Sequence, residues 1–360
     1  MTFNPFVIYN LIAFLCALLA SISSTHCKRN HTGIRLVALS AMFLTMFLPA
    51  ALRYDIGTDY KNYLEIYNIL RSGGSERLEP FYLGLNYLVI GTDISYQWIF
   101  VATSFVMYLC LLKLSKESFY WVFISIFIFS CYLNGYSSIR QYTAVSLLII
   151  AVYQLLNSKK KSFLLITLLA AGFHVSSLLL IPFYYSDRIK LNRYISLSVI
   201  IIFYILITQL GLINIIFNNS FFLETKYAAY ATNKFNVEVT EGSGVGIILR
   251  MCIPILYIFL QGKIVDSRKR RILNALCLCY VISLIFSSQI QIFNRLVDLF
   301  SFVPAFLAMY LAAAINKQSN RIIIISLMIL VCAATFEKNI AVSDKSLNSG
   351  LGISPYTSIL

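Results

Sequence analysis

The chain has 360 residues, of which 59% are hydrophobic and 12% are charged, and its mean hydropathy is +0.77. Soluble domains carry about 25% charged residues, so this composition excludes a two-domain soluble enzyme, a disordered scaffold and a secreted disulfide module. The net charge of +14 would suit nucleic acid, but its placement along the chain indicates otherwise. We therefore predict an all-α polytopic membrane protein with about 10–12 transmembrane helices.

Ten apolar runs follow one another along the chain, and each approaches the roughly 20 residues that a bilayer-crossing helix needs. They occupy residues 5–25, 34–52, 95–114, 118–134, 139–157, 193–216, 246–263, 272–288, 296–315 and 321–336. Two further segments are less suited to crossing. Residues 80–91 are too short, and residues 162–185 are interrupted by Gly172-Phe173-His174 and by Pro182.

Basic residues cluster in short segments between the apolar runs, as they do in cytoplasmic loops. Nearly all of the net charge lies in these clusters, so it indicates orientation and not a polyanion-binding surface. The predicted external segments are then residues 53–79 and 217–245, with a polar tail at 337–360. The basic clusters are Lys28-Arg29 with Arg35, Lys113 with Lys116, Lys159-Lys160-Lys161, Arg188 with Lys190 and Arg193, Lys263 with Arg268-Lys269-Arg270-Arg271, and Lys317 with Arg321.

This charge pattern leaves residues 80–114 only one crossing and residues 162–185 none. We therefore predict a half-helix or surface helix at 80–91, and a segment at 162–185 that folds back around His174. The alternative is that the basic residues near 187–193 are an exception to the enrichment of Lys and Arg in cytoplasmic loops. Broken helices persist at membrane depth where their freed backbone is buried in protein or lines a wet cavity. The chain, residues 1–360, is thus predicted to be one integral membrane domain with an outward-facing cavity.

Four arginines lie at outer membrane-interface positions on different predicted helices: Arg53, Arg140, Arg250 and Arg295. Charges at such depths usually face a cavity, and guanidinium groups bind phosphate bidentately and stay charged. Together they predict a metal-free site for a lipid-linked diphosphate. Snorkelling to the interface is the alternative, and Arg295 has a second one, a pair with Asp298 three residues away.

Candidate acid–base residues lie near these arginines in the sequence. Asp59 and Tyr63 are four residues apart and would share a helix face. Glu79 precedes Pro80, where capping of a helix start is a sufficient structural explanation. His174 lies within an apolar segment, where a hydrogen-bonded core histidine is the alternative. The cysteines and histidines have no metal-ligand spacing, so we expect no metal and no cofactor.

A series of short motifs extends over most of the chain. In order they are Arg53, Gly57-Thr58-Asp59-Tyr60, Tyr63, Glu79-Pro80, Leu85-Asn86, Arg140-Gln141, His174-Val175-Ser176 and Pro355-Tyr356. In combination they resemble the EpsG-type family of polysaccharide polymerases, within the broader group of O-antigen, or Wzy-type, polymerases.

The resemblance implies a glycosyltransferase with a GT-C-like helical fold in the bacterial inner membrane. Such an enzyme joins undecaprenyl-diphosphate-linked oligosaccharide repeat units on the periplasmic face, by inverting transfer without a metal. Its partners would be the lipid-linked donor and acceptor, the bilayer and a chain-length regulator, with no nucleic acid.

Carried onto this sequence, the resemblance and the residue chemistry assign three groups of site residues. Asp59 is the first candidate for the catalytic base, followed by His174 and Glu79. The diphosphate-binding residues are Arg140, Arg250 and Arg295, with Arg53 after them. The sugar-binding residues are Tyr60, Tyr63, Gln141 and Asn86.

Three other functions remain open. A flippase for lipid-linked sugars would also need a cationic cavity, although transporters usually show two related halves and none is recognisable here. An O-antigen ligase would use the same donor with another acceptor. A membrane acyltransferase would depend chiefly on His174.

Overall fold

The computed structural model describes residues 2–28, 31–211, 244–344 and 350–359. Within these ranges the helices are joined by turns and short irregular segments, and two short strands, β1 (Thr2–Phe3) and β2 (Tyr356–Thr357), pair antiparallel. A π-helical turn, Ile128–Tyr132, continues α6, and a 3₁₀ segment, Val175–Arg188, follows α9. The α-helices are α1 (Pro5–Lys28), α2 (Thr32–Ala51), α3 (Tyr60–Arg71), α4 (Pro80–Gly91), α5 (Gln97–Leu111), α6 (Tyr120–Phe127), α7 (Asn134–Ser137), α8 (Ile139–Leu156), α9 (Lys160–Ala171), α10 (Arg193–Tyr204), α11 (Val245–Leu260), α12 (Ser267–Ser287), α13 (Asn294–Phe300), α14 (Val303–Ala314) and α15 (Gln318–Ala341).

Eight helical stretches among the described residues are long and apolar enough to cross a membrane, and shorter apolar helices occupy Tyr120–Tyr132 and Arg193–Gln209. These ten stretches coincide with the ten predicted apolar runs, so the prediction of an all-α polytopic membrane protein is confirmed. Residues 212–216 of the sixth run, and residues 217–243 of the second predicted external segment, lie outside the described residues. The long stretches are Pro5–Thr25, Thr32–Ala51, Gln97–Leu114, Ile139–Leu156, Val245–Lys263, Ser267–Ser287, Asn294–Ala314 and Gln318–Ala341.

The core lies around α6, α8 and the α13–α14 pair. The spans Ile139–Leu156 and Asn294–Ala314 have 72% and 83% of their residues buried, against 22% for Gln318–Ala341. Phe123 of α6 packs edge-on against Phe306 of α14, with ring centroids 5.1 Å apart. Helices that are apolar on every side but only partly buried are typical of spans whose outer face contacts lipid.

The chain folds back on itself between α9 and the 3₁₀ segment. Lys160, at the start of α9, donates from Nζ to Asp187 Oδ1 near the end of the 3₁₀ segment, at 2.8 Å. Because these two ends meet, the segment enters and leaves at one end of the bundle and makes no net crossing. The predicted break around His174 is therefore confirmed.

The apex of this hairpin contacts the start of α4. A Cβ on Gly172 would clash with the ring of Phe81, and the Gly172 carbonyl accepts a hydrogen bond from the Phe81 N–H at 2.9 Å. Only glycine permits this approach. Helix α4 has 12 residues, too few to cross alone, as predicted for residues 80–91. The contact places His174 beside Glu79.

Residues 350–359, here called the rim segment, return to the turn between α2 and α3. Gly57 N–H donates to Gly352 O at 3.0 Å, and Ser137 Oγ donates to Leu351 O at 2.9 Å. Gly57 has φ +100°, and a Cβ there would clash with the Tyr136 carbonyl. Of the predicted polar tail, residues 337–341 complete α15 and the rim segment is anchored to the bundle.

Candidate functional site

A cavity of about 550 Å³ lies at the end of the bundle where α15 ends and where α8, α11 and α13 begin. The α2–α3 turn and the rim segment complete its wall. Three predicted site residues line it together: Asp59, Arg250 and Arg295. Its other polar lining residues are Thr58, Asn134, Ser137, Ser138, Asn294, Asp298, Asn339 and Ser343.

Arg250 and Arg295 present exposed side chains in this cavity. Among the described residues, no carboxylate lies within ion-pair distance of either guanidinium. Asp298 is engaged elsewhere, since its Oδ1 accepts from Tyr142 Oη at 3.0 Å and from Asn134 Nδ2 at 3.3 Å. The alternative Arg295–Asp298 ion pair does not form among the described residues, although the Asp298 charge acts on both guanidinium groups at longer range. Both cations can therefore still bind an anion.

Asp59 reaches the cavity because Gly57 turns the chain sharply between α2 and α3. It occupies the residue before α3, yet its side chain makes no capping hydrogen bond. Its backbone carbonyl accepts from Tyr63 N–H at 3.0 Å. The Asp59 carboxylate is therefore available in the cavity, where it could accept a proton from a bound hydroxyl.

Glu79, Arg140 and His174 form a compact cluster. Arg140 Nη1 donates to Glu79 Oε2 at 2.9 Å, and Glu79 Oε1 lies 3.2 Å from His174 Nδ1. All three side chains are largely buried, with exposed fractions of 26% for Arg140 and 16% for the other two. One carboxylate therefore fixes both a guanidinium and an imidazole.

The pKa of Glu79 shows which ionisation state the cluster favours. Burial raises this pKa, but the hydrogen bond with His174 and the charge of Arg140 lower it more, to about 2. A carboxylate with so low a pKa is a poor proton acceptor near neutral pH. Because an ionised carboxylate can only accept a hydrogen bond, His174 Nδ1 donates to Glu79 Oε1.

Tyr63 connects this cluster with the cavity. Its phenol lies beside the Arg140 guanidinium and within the electrostatic reach of Asp59 and Arg295. Burial, with Asp59 as a further cause, raises the pKa of Tyr63 to about 12. The hydroxyl therefore keeps its proton at neutral pH.

A second connection runs through Gln141. Its Nε2 donates to the Arg295 carbonyl at 2.7 Å, which ties the start of α8 to the start of α13. Gln141 follows Arg140 directly in α8. Adjacent residues of one helix therefore contact Glu79 and the backbone of Arg295. Gln141 itself is 1% exposed.

Arg53 is buried inside the bundle. It is 1% exposed, and its guanidinium lies over the rings of Phe100 and Tyr136, 4.7 and 5.0 Å from their centroids. Its Nη1 donates to Ala50 O, whereas Nε and Nη2 have no hydrogen-bond partner among the residues that the structure describes. The structure does not bring Arg53 to the described cavity.

Two predicted sugar-binding residues pack inside the protein. The Tyr60 ring stacks on Phe100, with centroids 4.8 Å apart. Asn86 is fully buried in α4, where its Nδ2 donates to the Tyr82 carbonyl at 2.8 Å. None of the four predicted sugar-binding residues, Tyr60, Tyr63, Asn86 and Gln141, lines the described cavity.

Sequence reasoning did not assign Asp298, Tyr142 or Asn134 to the site. Asp298 lies within a candidate span, and an ionisable residue in such a helix is a functional signal that could have selected it. Tyr142 and Asn134 carried no such signal, because their contact depends on tertiary packing. Within the described residues, no group of three or more His, Cys, Asp or Glu side chains could hold a metal ion.

Comparison with known proteins gives one match. No curated protein and no solved structure matches the chain. The model of the EpsG family matches residues 36–358, nearly the whole chain, and this stretch includes every residue of the cavity and of the Glu79 cluster. The chain therefore belongs to the EpsG family, a group of polysaccharide-polymerase-type membrane proteins.

Proposed function

We propose that the protein is a glycosyltransferase that joins undecaprenyl-diphosphate-linked oligosaccharide repeat units into a surface polysaccharide. The observation that carries the proposal is the cavity in which Arg250 and Arg295, unpaired among the described residues, lie with Asp59. Two free guanidinium groups suit a diphosphate, and a nearby carboxylate suits an acceptor hydroxyl. Membership of the EpsG family supports the same class of reaction.

In the proposed reaction, a sugar hydroxyl of the acceptor attacks the anomeric carbon of the donor. The new carbon–oxygen bond forms as the bond to the diphosphate oxygen breaks, and the configuration inverts. Asp59 takes the hydroxyl proton. Arg250 and Arg295 bind the departing lipid diphosphate, whose growing negative charge they stabilise.

The Glu79 cluster has a positioning role in this proposal. Glu79 holds Arg140 in one orientation, and Arg140 lies beside Tyr63, which is within electrostatic reach of Asp59 and Arg295. His174 is fixed by the same carboxylate and is the second candidate for the base. Asp59 is preferred because it lines the cavity, whereas His174 does not.

We further propose that the cavity faces the periplasm and that the protein resides in the bacterial inner membrane. The basic clusters lie at the opposite end of the bundle, because they follow the ends of α8 and α11 and precede α12 and α15. Positive charge marks the cytoplasmic side. The cavity would then open where matured lipid-linked units are found.

The decisive experiment supplies purified protein with a lipid-linked repeat unit as its only substrate. We expect products longer by whole repeat units, and about 100-fold slower elongation by Arg295→Gln, since one lost anion-stabilising group costs on the order of 3 kcal/mol. The control is Arg71→Gln, because Arg71 is exposed and pairs with exposed Asp93 at 2.8 Å.

Elongation that is unchanged by Arg295→Gln would contradict the proposed site. Movement of the substrate across liposomes without elongation would instead support a flippase. Transfer of a single unit to another lipid acceptor, without elongation, would support a ligase.

A further inference from the structure

A second cavity, of about 710 Å³, lies where α10 begins, α11 ends and α12 begins. It is at the opposite end of the bundle from the candidate site. Along α11, at least eight residues separate Arg250 from Ile258, which is about 12 Å of helix. Its lining residues are Lys190, Leu191, Asn192, Arg193, Ile195, Ile258, Phe259, Gln261, Gly262, Arg270 and Arg271.

Four of these lining residues are cations, and none of the described lining residues is a carboxylate. Among the described residues, none of the four forms an ion pair. Their described hydrogen bonds go to neutral oxygens: Arg193 to Tyr194 Oη, Arg270 to Ile264 O and Arg271 to Asp187 O.

The nearby carboxylates are already engaged with other groups. Asp187 pairs with Lys160 at 2.8 Å and with Arg268 at 3.5 Å, so only its backbone carbonyl faces Arg271. Asp266 accepts from the backbone N–H groups of Arg268 and Lys269 at the start of α12. The cavity therefore retains an uncompensated positive charge that favours a bound anion.

The same cavity has an apolar side that faces out of the bundle. Phe259 is 57% exposed and Ile195 is 44% exposed, and Phe259 belongs to a candidate span. In a membrane such exposed apolar side chains contact acyl chains. A soluble anion would contact only the cationic residues. A lipid would contact the cationic residues with its headgroup and the apolar side with its acyl chains.

We propose that this cavity binds an anionic phospholipid, with the headgroup phosphate among Lys190, Arg193, Arg270 and Arg271, and with the acyl chains along Phe259 and Ile195. Basic pockets between transmembrane helices are suited to anionic headgroups. The bound lipid neutralises the cations and joins α10, α11 and α12 at this end. The site is independent of the sugar chemistry proposed above.

The test counts lipids on the intact purified protein by native mass spectrometry in detergent micelles. Phosphatidylglycerol and phosphatidylcholine are titrated in parallel. We expect one phosphatidylglycerol to bind at least about tenfold more tightly than phosphatidylcholine, because each basic group near a headgroup contributes on the order of 1 kcal/mol. The Lys190→Gln/Arg193→Gln variant should lose that selectivity, since neither residue anchors backbone in the described hydrogen bonds.

The matched control is Lys263→Gln/Lys317→Gln, which removes the same charge at the same end of the bundle but outside the cavity. It should bind phosphatidylglycerol as the unsubstituted protein does. Equal binding of the two lipids by the unsubstituted protein would overturn the proposal, and that measurement requires no variant. Equal loss in both double variants would also overturn it, as would displacement of the lipid by millimolar glycerophosphate, which would identify a soluble anion as the ligand.

Discussion

At the residue scale, the contrast between Asp59 and Glu79 decides which carboxylate can act as the base. Glu79 is held by Arg140 and His174, and its pKa falls to about 2. Asp59 makes no described ion pair and lines the cavity. Two carboxylates 20 positions apart in the sequence therefore have different environments, which supports the proposal that Asp59 accepts the proton and Glu79 has a positioning role.

The Asp59→Asn substitution tests that assignment. We expect elongation of lipid-linked repeat units to fall at least about 100-fold, the contribution of a positioned general base, while membrane insertion is unchanged. The control is Asp93→Asn, because Asp93 is 84% exposed in its side chain and lies outside the described cavity. Polymer of normal length from Asp59→Asn, analysed on a gel, would refute the role.

The lowered pKa of Glu79 also predicts how stability depends on pH. A carboxylate whose pKa falls from about 4.3 unfolded to about 2 folded stabilises the protein fully above the unfolded value and loses that contribution as the pH falls towards 2. The thermal midpoint of the unsubstituted protein in micelles should exceed that of Glu79→Gln at pH 6, and the gap should shrink by pH 3.

Glu65 provides the comparison for this pH experiment, because it is exposed on α3. The gap between the unsubstituted protein and Glu65→Gln should be small and nearly constant over the same pH range. A Glu79→Gln gap that does not change with pH would show that the cluster contributes no charge-dependent stability.

At the element scale, the hairpin of α9 and the 3₁₀ segment explains how a histidine from an interrupted helix reaches a glutamate that begins another. The break was predictable from Gly172-Phe173-His174, Pro182 and the basic residues on both sides. The contact with Phe81 was not, because a glycine in a sequence does not specify which side chain approaches it. Likewise, the burial of Arg53 depends on Phe100 and Tyr136, which come from separate helices.

Gly172→Ala tests the approach of the hairpin to α4. The new methyl group would clash with the Phe81 ring, so we expect a loss of about 1–3 kcal/mol of stability and slower elongation. Adding Phe81→Ala should relieve the clash and so restore part of the lost stability and part of the lost elongation rate. Gly84→Ala is the control, since a Cβ there meets nothing within 4 Å; equal effects at the two glycines would contradict the close-contact explanation.

At the scale of the whole molecule, positive charge and the candidate site lie at opposite ends of the bundle. The alternation of apolar runs and basic clusters predicted this arrangement because both the crossing of helices and the placement of charge follow from local composition. The GT-C-like architecture remains a prediction. Which side chains share the cavity was not predictable, since its wall combines residues from Thr58 to Leu351.

The orientation is testable by labelling intact cells with a membrane-impermeant maleimide. Lys61→Cys, exposed at the start of α3, should react, whereas Lys263→Cys, exposed at the other end, should react only after the cells are permeabilised. The unsubstituted protein measures the background from native cysteines, most of which are buried. The reverse labelling pattern would place the cavity in the cytoplasm and remove the proposed polymerase reaction.

Because the rim segment forms part of the cavity wall, the cavity is complete only after the end of the chain has been synthesised. Gly350 and Leu351 contribute to the cavity wall, yet the ribosome makes them after the final candidate span, which ends at Ala341. A chain truncated after Ala341 would retain every described span, whereas its cavity would lack one side. Membrane insertion and completion of the cavity wall are thus separate events, and the second requires translation beyond residue 351.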